Sequence, residues 1–193
     1  SDVEDLMLGT GNPGGEGGFN MARVAAILAG LDDVPGVTVN RYCSSSLQTI
    51  RMAAHAIRSG EGDCFIAAGV ETVSRTNPEK SDGPTNPLFK DASVRSRMRA
   101  EGGQGAWSAR TGLPDIYIAM GQTAENVVEQ EGVTREEMDR FGVRSQNLAC
   151  EHVDNGFFER EITPLTLPDG NVVSKDDGPR PGDRKSTRLN SSH

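Results

Sequence analysis

The stretch Val37-Thr38-Val39-Asn40-Arg41-Tyr42-Cys43-Ser44-Ser45-Ser46-Leu47-Gln48 decides how the chain is read. Its first three residues form a β-branched run, the mark of a short strand. Downstream, Leu47, Ile50, Ala54 and Ile57 recur at intervals of three, four and three, which predicts one apolar face of a helix. Gly60 supplies the stop signal beyond it. Cys43 therefore falls where a strand ends and a helix begins. A thiol there feels the partial positive charge of unpaired helix N–H groups, which favours the nucleophilic thiolate. The other reading of the same residue is a buried structural cysteine. The local pattern leaves both open.

Outward from this point the elements alternate. Cys64-Phe65-Ile66-Ala67-Ala68 is a continuous apolar run between Asp63 and Gly69, as expected of a strand covered on both faces. Cys64, inside that run, reads as a small core residue. Upstream, Met21 to Ala29 predicts a short helix with Asn20 as N-cap and Gly30 as its end. Strand, helix and strand with near-continuous apolar strands argue for a parallel sheet flanked by helices, an α/β fold. From about Arg75 to Asp115 the composition turns to Pro, Gly, Ser and charge, without periodicity. A helix follows, with Ala124, Val127, Val128 and Glu131 leading to Gly132. Thr134 and Glu137 then form a capping box, with Val133 and Met138 as its hydrophobic staple. On that second helix Met138, Phe141, Ser145, Leu148 and His152 share a face, and Asn155-Gly156 closes it. Residues 165–167 and 171–173, around Pro168-Asp169-Gly170, read as a hairpin.

Composition narrows the function classes. The 193 residues carry 20 Lys and Arg against 28 Asp and Glu, a net charge of −8. An acidic chain offers no basic patch for phosphates, which argues against nucleic acid or an anionic membrane as partner. No apolar run approaches the length of a membrane span. Cys43, Cys64 and Cys150 fit neither a disulfide framework nor a paired-cysteine metal site, so a reducing cytoplasm is expected. Gly14 to Gly18 lacks the Lys-Ser/Thr of a phosphate loop. His55 lies too far along its helix to serve Cys43 as a base, and His152 ends an apolar face; both read as structural or surface histidines. Arg95, Arg97, Arg99 and Arg110 either meet phosphates or form a solvated charged loop, and the solvated reading is the expectation.

Five segments in order carry a family resemblance. Asn40 to Leu47 resembles the acyl-accepting cysteine segment of the thiolases. Ala68-Gly69-Val70-Glu71-Thr72-Val73-Ser74 is similar to their Gly-Gly-x-Glu-x-Met-Ser strand end, and Met120 to Val127 to their Met-Gly-x-Thr-Ala-Glu-Asn-Val helix start. Thr134 to Asp139 with Ser145-Gln146, and then Lys175 to Pro181, resemble the next two family segments. The resemblance implies a layered αβαβα thiolase-like fold, incomplete here, with the first strand and helix and the C-terminal domain outside the chain. It implies an N-terminal core over 1–74, a loop domain over 75–174 covering a coenzyme A site, and a return to the core sheet over 175–182. Residues 183–193 resemble instead the translation of a sequencing-library adapter. Without that tail's three basic residues and one acidic residue, 20 and 28 become 17 and 27, and −8 becomes −10.

The activity implied is thiolysis of a 3-ketoacyl-CoA, or the reverse Claisen condensation, through a thioester on Cys43. Met120 and Leu113 would contact coenzyme A, which is substrate; no cofactor or metal is expected. Ala119 stands where many short-chain biosynthetic members have histidine, which leans toward a degradative enzyme. The base and a second cysteine would come from the C-terminal domain, so the 193-residue chain alone is expected to be inactive. Thr38-Val39-Asn40 occupies the family's subunit-interface position, implying a homodimer or homotetramer. Two alternatives stay open: a ketosynthase-type condensing enzyme, and a non-catalytic thiolase-like acyl- or lipid-binding protein.

Overall fold

The computed structural model describes residues 2–75, 84–102 and 112–182. The chain divides into two compact units, Ser1–Thr85 and Asn86–His193.

The first unit is built on three parallel strands in the order β2-β1-β3: β1 (Asp5–Gly9), β2 (Gly36–Val39) and β3 (Phe65–Gly69). Register pairs Leu8 with Thr38 on one side and with Ala68 on the other. The central strand is the one that sequence reasoning missed. Its signal was the run Leu6-Met7-Leu8 closed by Gly9, all four of them buried. Side chains on successive strand positions point to opposite faces. Leu6 and Leu8 accordingly pack with Ala22, Ala26 and Val34 around helix α1 (Met21–Leu28), while Met7 packs with Ala53 and Ala56 of helix α2 (Ser45–Ser59). The result is a helix–sheet–helix sandwich.

Three expectations need correction. Asn20 does not cap α1. It sits in the left-handed region at φ 57°, and its amide donates to the Gly36 carbonyl at 2.8 Å while its Oδ1 accepts from Thr38 Oγ1 at 2.9 Å. Its polar groups tie the helix to β2, a partner invisible in local sequence. The α2 stripe of Leu47, Ile50 and Ile57 is exposed, and the face that packs is Ser45, Thr49, Ala53 and Ala56. Small residues win because α2 lies close on the sheet: Thr49 Oγ1 reaches the Ala68 carbonyl at 3.2 Å. Finally, β3 is an edge strand among the described residues and is only half covered, and Cys64, just before it, is exposed rather than core. Its backbone N–H donates to Glu4 Oε2 at 2.8 Å, which holds the strand entrance at the surface.

In the second unit a helix appears where no periodicity was visible: α3 (Lys90–Ala100), preceded by the turn Pro87–Phe89 that Asn86 caps by accepting from the Leu88 N–H. Its apolar positions are scattered among charges, with Val94 and Met98 exposed, and among its described residues the buried ones are Ala92 and Ser96. Helices α4 (Met120–Glu131) and α5 (Arg135–Asp154) follow, α4 ending at left-handed Gly132. The capping box forms as expected. Glu137 N–H donates to Thr134 Oγ1 at 3.2 Å, and Thr134 N–H donates to Glu137 Oε2 at 2.8 Å. That backbone N–H and then the Thr134 hydroxyl hold the Glu137 carboxyl below its usual value. The hairpin is β4 (Leu165–Thr166) against β5 (Val172–Val173), turning through Asp169 and Gly170.

Candidate active site

The connection from β1 to β2 runs through α1 on one face, and that from β2 to β3 through α2 on the other. Open α/β sheets bind ligands in the crevice at the carboxyl ends of strands where the connections diverge this way. A cavity of about 290 Å³ lies there, lined by Gly9 to Gly11 after β1, Tyr42, Cys43, Ser45 and Ser46 at the start of α2, and Gly69 to Glu71 after β3. Its titratable lining groups are Tyr42, Cys43 and Glu71.

Cys43 is the middle residue of a one-turn 3-10 helix, Tyr42–Ser44, that leads directly into α2. Helix α2 thus begins two residues later than a start at Cys43 would give, and the thiol is exposed at the cavity. The turn is held in a conformation that side-chain-bearing residues seldom adopt: Tyr42 has φ 45°. Such backbone persists only where its surroundings over-determine it. Here the Tyr42 N–H donates to Asn40 Oδ1 at 2.8 Å, and the Arg41 N–H donates to Ser45 Oγ at 2.9 Å. Ser45 Oγ–H is shared between the Tyr42 carbonyl at 2.6 Å and the Thr10 carbonyl at 3.3 Å. Ser45 is buried and spans the strand end and the cysteine turn.

Close approach of backbones shapes the rest of the cavity. A Cβ on Gly9 would stand 2.5 Å from the Ser45 carbonyl carbon, and one on Gly69 would stand 2.0 Å from Ser46 Oγ. At Gly9 all the obstructing atoms are backbone, so β1 can touch the first turn of α2 only because that residue has no side chain, whereas at Gly69 the nearest atom is the Ser46 hydroxyl. On the far wall, Glu71 accepts from Gly11 N–H at 2.7 Å, Asn12 N–H at 3.1 Å and Thr10 Oγ1 at 3.2 Å. Sequence reasoning placed Glu71 in a family segment without giving it a role.

The remaining candidates fall elsewhere. Leu113 and Met120 belong to the second unit and are exposed, Met120 as the first residue of α4. Arg95 and Arg99 are not simply solvated. Arg95 Nη2 meets Asp115 Oδ1 at 2.8 Å and the Leu113 carbonyl at 2.8 Å, and Arg99 Nη2 meets Asn126 Oδ1 at 2.6 Å. Arg97 is exposed, and Arg110 and the 183–193 segment lie outside the described residues. His55 is exposed on α2, while the His152 ring packs against Phe157 at 5.1 Å. Among the described residues no His, Cys, Asp and Glu group could hold a metal ion, and no helix is long and apolar enough to cross a membrane.

Comparison with known proteins bears on the family of the chain. The family profile described as "Thiolase, N-terminal domain" matches residues 1–187. The chain is 39% identical over 189 residues to the beta-ketoadipyl-CoA thiolase of Acinetobacter baylyi, an alignment covering 93% of this chain and 45% of that protein. It is 38% identical over 167 residues to the 3-ketoacyl-CoA thiolase of Bacillus subtilis, covering 86% of this chain and 38% of the relative. Among solved structures, the dimeric peroxisomal thiolase of Saccharomyces cerevisiae superposes with a TM-score of 0.72 at 28% identity, over 95% of this chain and 43% of that one. The chain thus spans less than half the length of these relatives.

Proposed function

The chain belongs to the thiolase family, and from that premise we propose that the protein it comes from transfers acyl groups through a thioester on Cys43. The observation that carries this reading is the placement of an exposed thiol at the carboxyl-end cavity of the sheet, on a turn fixed at the head of α2.

In the thiolytic direction the Cys43 thiolate attacks the keto carbon of a 3-ketoacyl-CoA. The bond between the keto carbon and its neighbour on the thioester side breaks, and its electron pair leaves on the acetyl-CoA enolate, which takes up a proton. The acyl group stays on Cys43 Sγ as a thioester until the thiolate of free coenzyme A attacks it and expels the cysteine. Splitting one hard step into two is what a covalent intermediate achieves. The tetrahedral adducts need preorganised N–H donors, and the family resemblance makes the Cys43 N–H one of them. Met120 and Leu113 would contact coenzyme A, within a loop domain over 75–174. The base and the proton-shuttling second cysteine would come from a C-terminal domain. The protein would act in the cytoplasm, in fatty acid degradation, as a homodimer or homotetramer.

Incubating the full-length protein with acetyl-CoA and mapping the adduct by mass spectrometry tests the reading. An acetyl group on Cys43 is expected, with turnover lost in Cys43→Ser because a hydroxyl is far less ionised near neutral pH, and kept in Cys64→Ser. An adduct on Cys64 or Cys150 with Cys43 unmodified would overturn the assignment. Condensation that consumes a malonyl thioester and releases carbon dioxide, with no thiolysis of a 3-ketoacyl-CoA, would favour a ketosynthase-type enzyme.

A further inference from the structure

Glu71 lines the cavity yet has no part in the chemistry above, and its carboxylate is the meeting point of three donors from one loop. Oε1 accepts from Thr10 Oγ1 and the Asn12 N–H; Oε2 accepts from the Gly11 N–H. Hydrogen bonds to an ionised acceptor are the strong ones. Those donors lie about 60 residues away in sequence, so Glu71 pins the loop after β1 to the end of β3.

The same loop holds the cysteine turn. Thr10 is the shared node: its hydroxyl donates to Glu71, its N–H donates to the Val39 carbonyl at 3.0 Å, and its carbonyl accepts from Ser45 Oγ. Ser45 Oγ in turn accepts from the Arg41 N–H and donates to the Tyr42 carbonyl, the two residues that precede Cys43. A continuous path of hydrogen bonds therefore runs from the Glu71 carboxylate, through Thr10 and Ser45, to a backbone turn whose left-handed Tyr42 needs outside support.

We propose that Glu71 is a positioning residue for Cys43, acting through the Thr10–Ser45 path to hold the thiol at its place of attack; the proposal rests on the acyl-transfer reading of Cys43. It acts on the loop and not as an acid or base, since its donors are the loop's own groups.

The test uses the full-length protein with Glu71→Ala and Glu71→Gln. Backbone amide exchange is followed at Gly11, Asn12 and Arg41, and thiolysis of acetoacetyl-CoA by coenzyme A is followed across pH. In Glu71→Ala, exchange at all three amides is expected to accelerate. Turnover should fall on the order of 100-fold with KM within about twofold, as for a misplaced reactive group. The positions of the pH-profile limbs should not move. Glu71→Gln, which keeps one carbonyl acceptor, should recover part of the loss. Thr10→Val, which removes only the hydroxyl donor, replaces Glu71→Ala if that variant does not fold, and should lower turnover less, in the same direction.

Faster exchange at Gly11 and Asn12 with Arg41 and turnover unchanged would overturn the proposal, because the clamp would then end at the loop. So would a pH limb that disappears with the carboxylate, or wild-type turnover in Thr10→Val. If the wild-type protein shows no thiolysis at all, the acyl-transfer reading fails, and the Arg41 amide still decides whether Glu71 holds the cysteine turn.

Discussion

Replacing Gly9 by alanine should damage the site from a position that touches no substrate. Gly9 ends β1, is buried, and has a backbone conformation open to any residue, so no left-handed strain enters. The added Cβ would lie 2.5 Å from the Ser45 carbonyl carbon, 2.7 Å from Ser46 N and 2.8 Å from the Ser45 carbonyl oxygen. Carbon contacts are comfortable at about 3.5–4.0 Å, so the first turn of α2 has to retreat by about 1 Å. All three obstructing atoms are backbone, and no side chain can swing aside. Overpacking of this kind costs typically about 1–3 kcal/mol. The retreat also moves Ser45, and with it the bonds to Arg41 and Tyr42 that carry Cys43. A displacement of that size at a reacting group lowers turnover on the order of 100-fold. Urea denaturation and steady-state thiolysis in the full-length protein measure the two effects, with Gly178→Ala, where a Cβ meets nothing within 4 Å, as control. A Gly9→Ala protein with wild-type midpoint and turnover would refute the reasoning, since α2 would then have slack that the contacts deny.

The family resemblance puts Thr38-Val39-Asn40 at the subunit interface, and β2, which carries the first two, lies at one edge of the sheet among the described residues. On that premise the full-length protein should self-associate through it, and a monomer by light scattering at micromolar concentration counts against this. Glu137 gives a pH signature. Its folded pKa is depressed, chiefly by the Thr134 backbone N–H, so its contribution is present above the ordinary carboxyl range and fades as pH falls through the folded value. Wild type should therefore be more stable than Glu137→Gln at neutral pH, with the gap closing in acid, and a gap of equal size at pH values well below the carboxyl range would sink the idea.

What the sequence determined by itself was local. The capping box at Thr134 and Glu137, the ends at Gly60 and Gly132, the hairpin around Asp169-Gly170 and the place of Cys43 between strand and helix all depend on groups within a few residues of one another. Their signals therefore sit side by side in the chain. The parallel α/β character was legible for a related reason, since apolar runs alternate with helical periods.

Tertiary structure decided what depends on register. Leu6-Met7-Leu8 became the central strand only because β2 and β3 pair on either side of it. Helix α2 carries two usable faces, and the sheet's close approach chose the small one, Ser45, Thr49, Ala53 and Ala56, over the Leu47 stripe. Asn20 lost its capping role to partners on β2, sixteen and eighteen residues away. Glu71 finds its donors across about 60 residues, and Ser45 finds its acceptor, the Thr10 carbonyl, across 35. No neighbouring residue announces such contacts, because they exist only once three strand ends have been brought together around one cysteine.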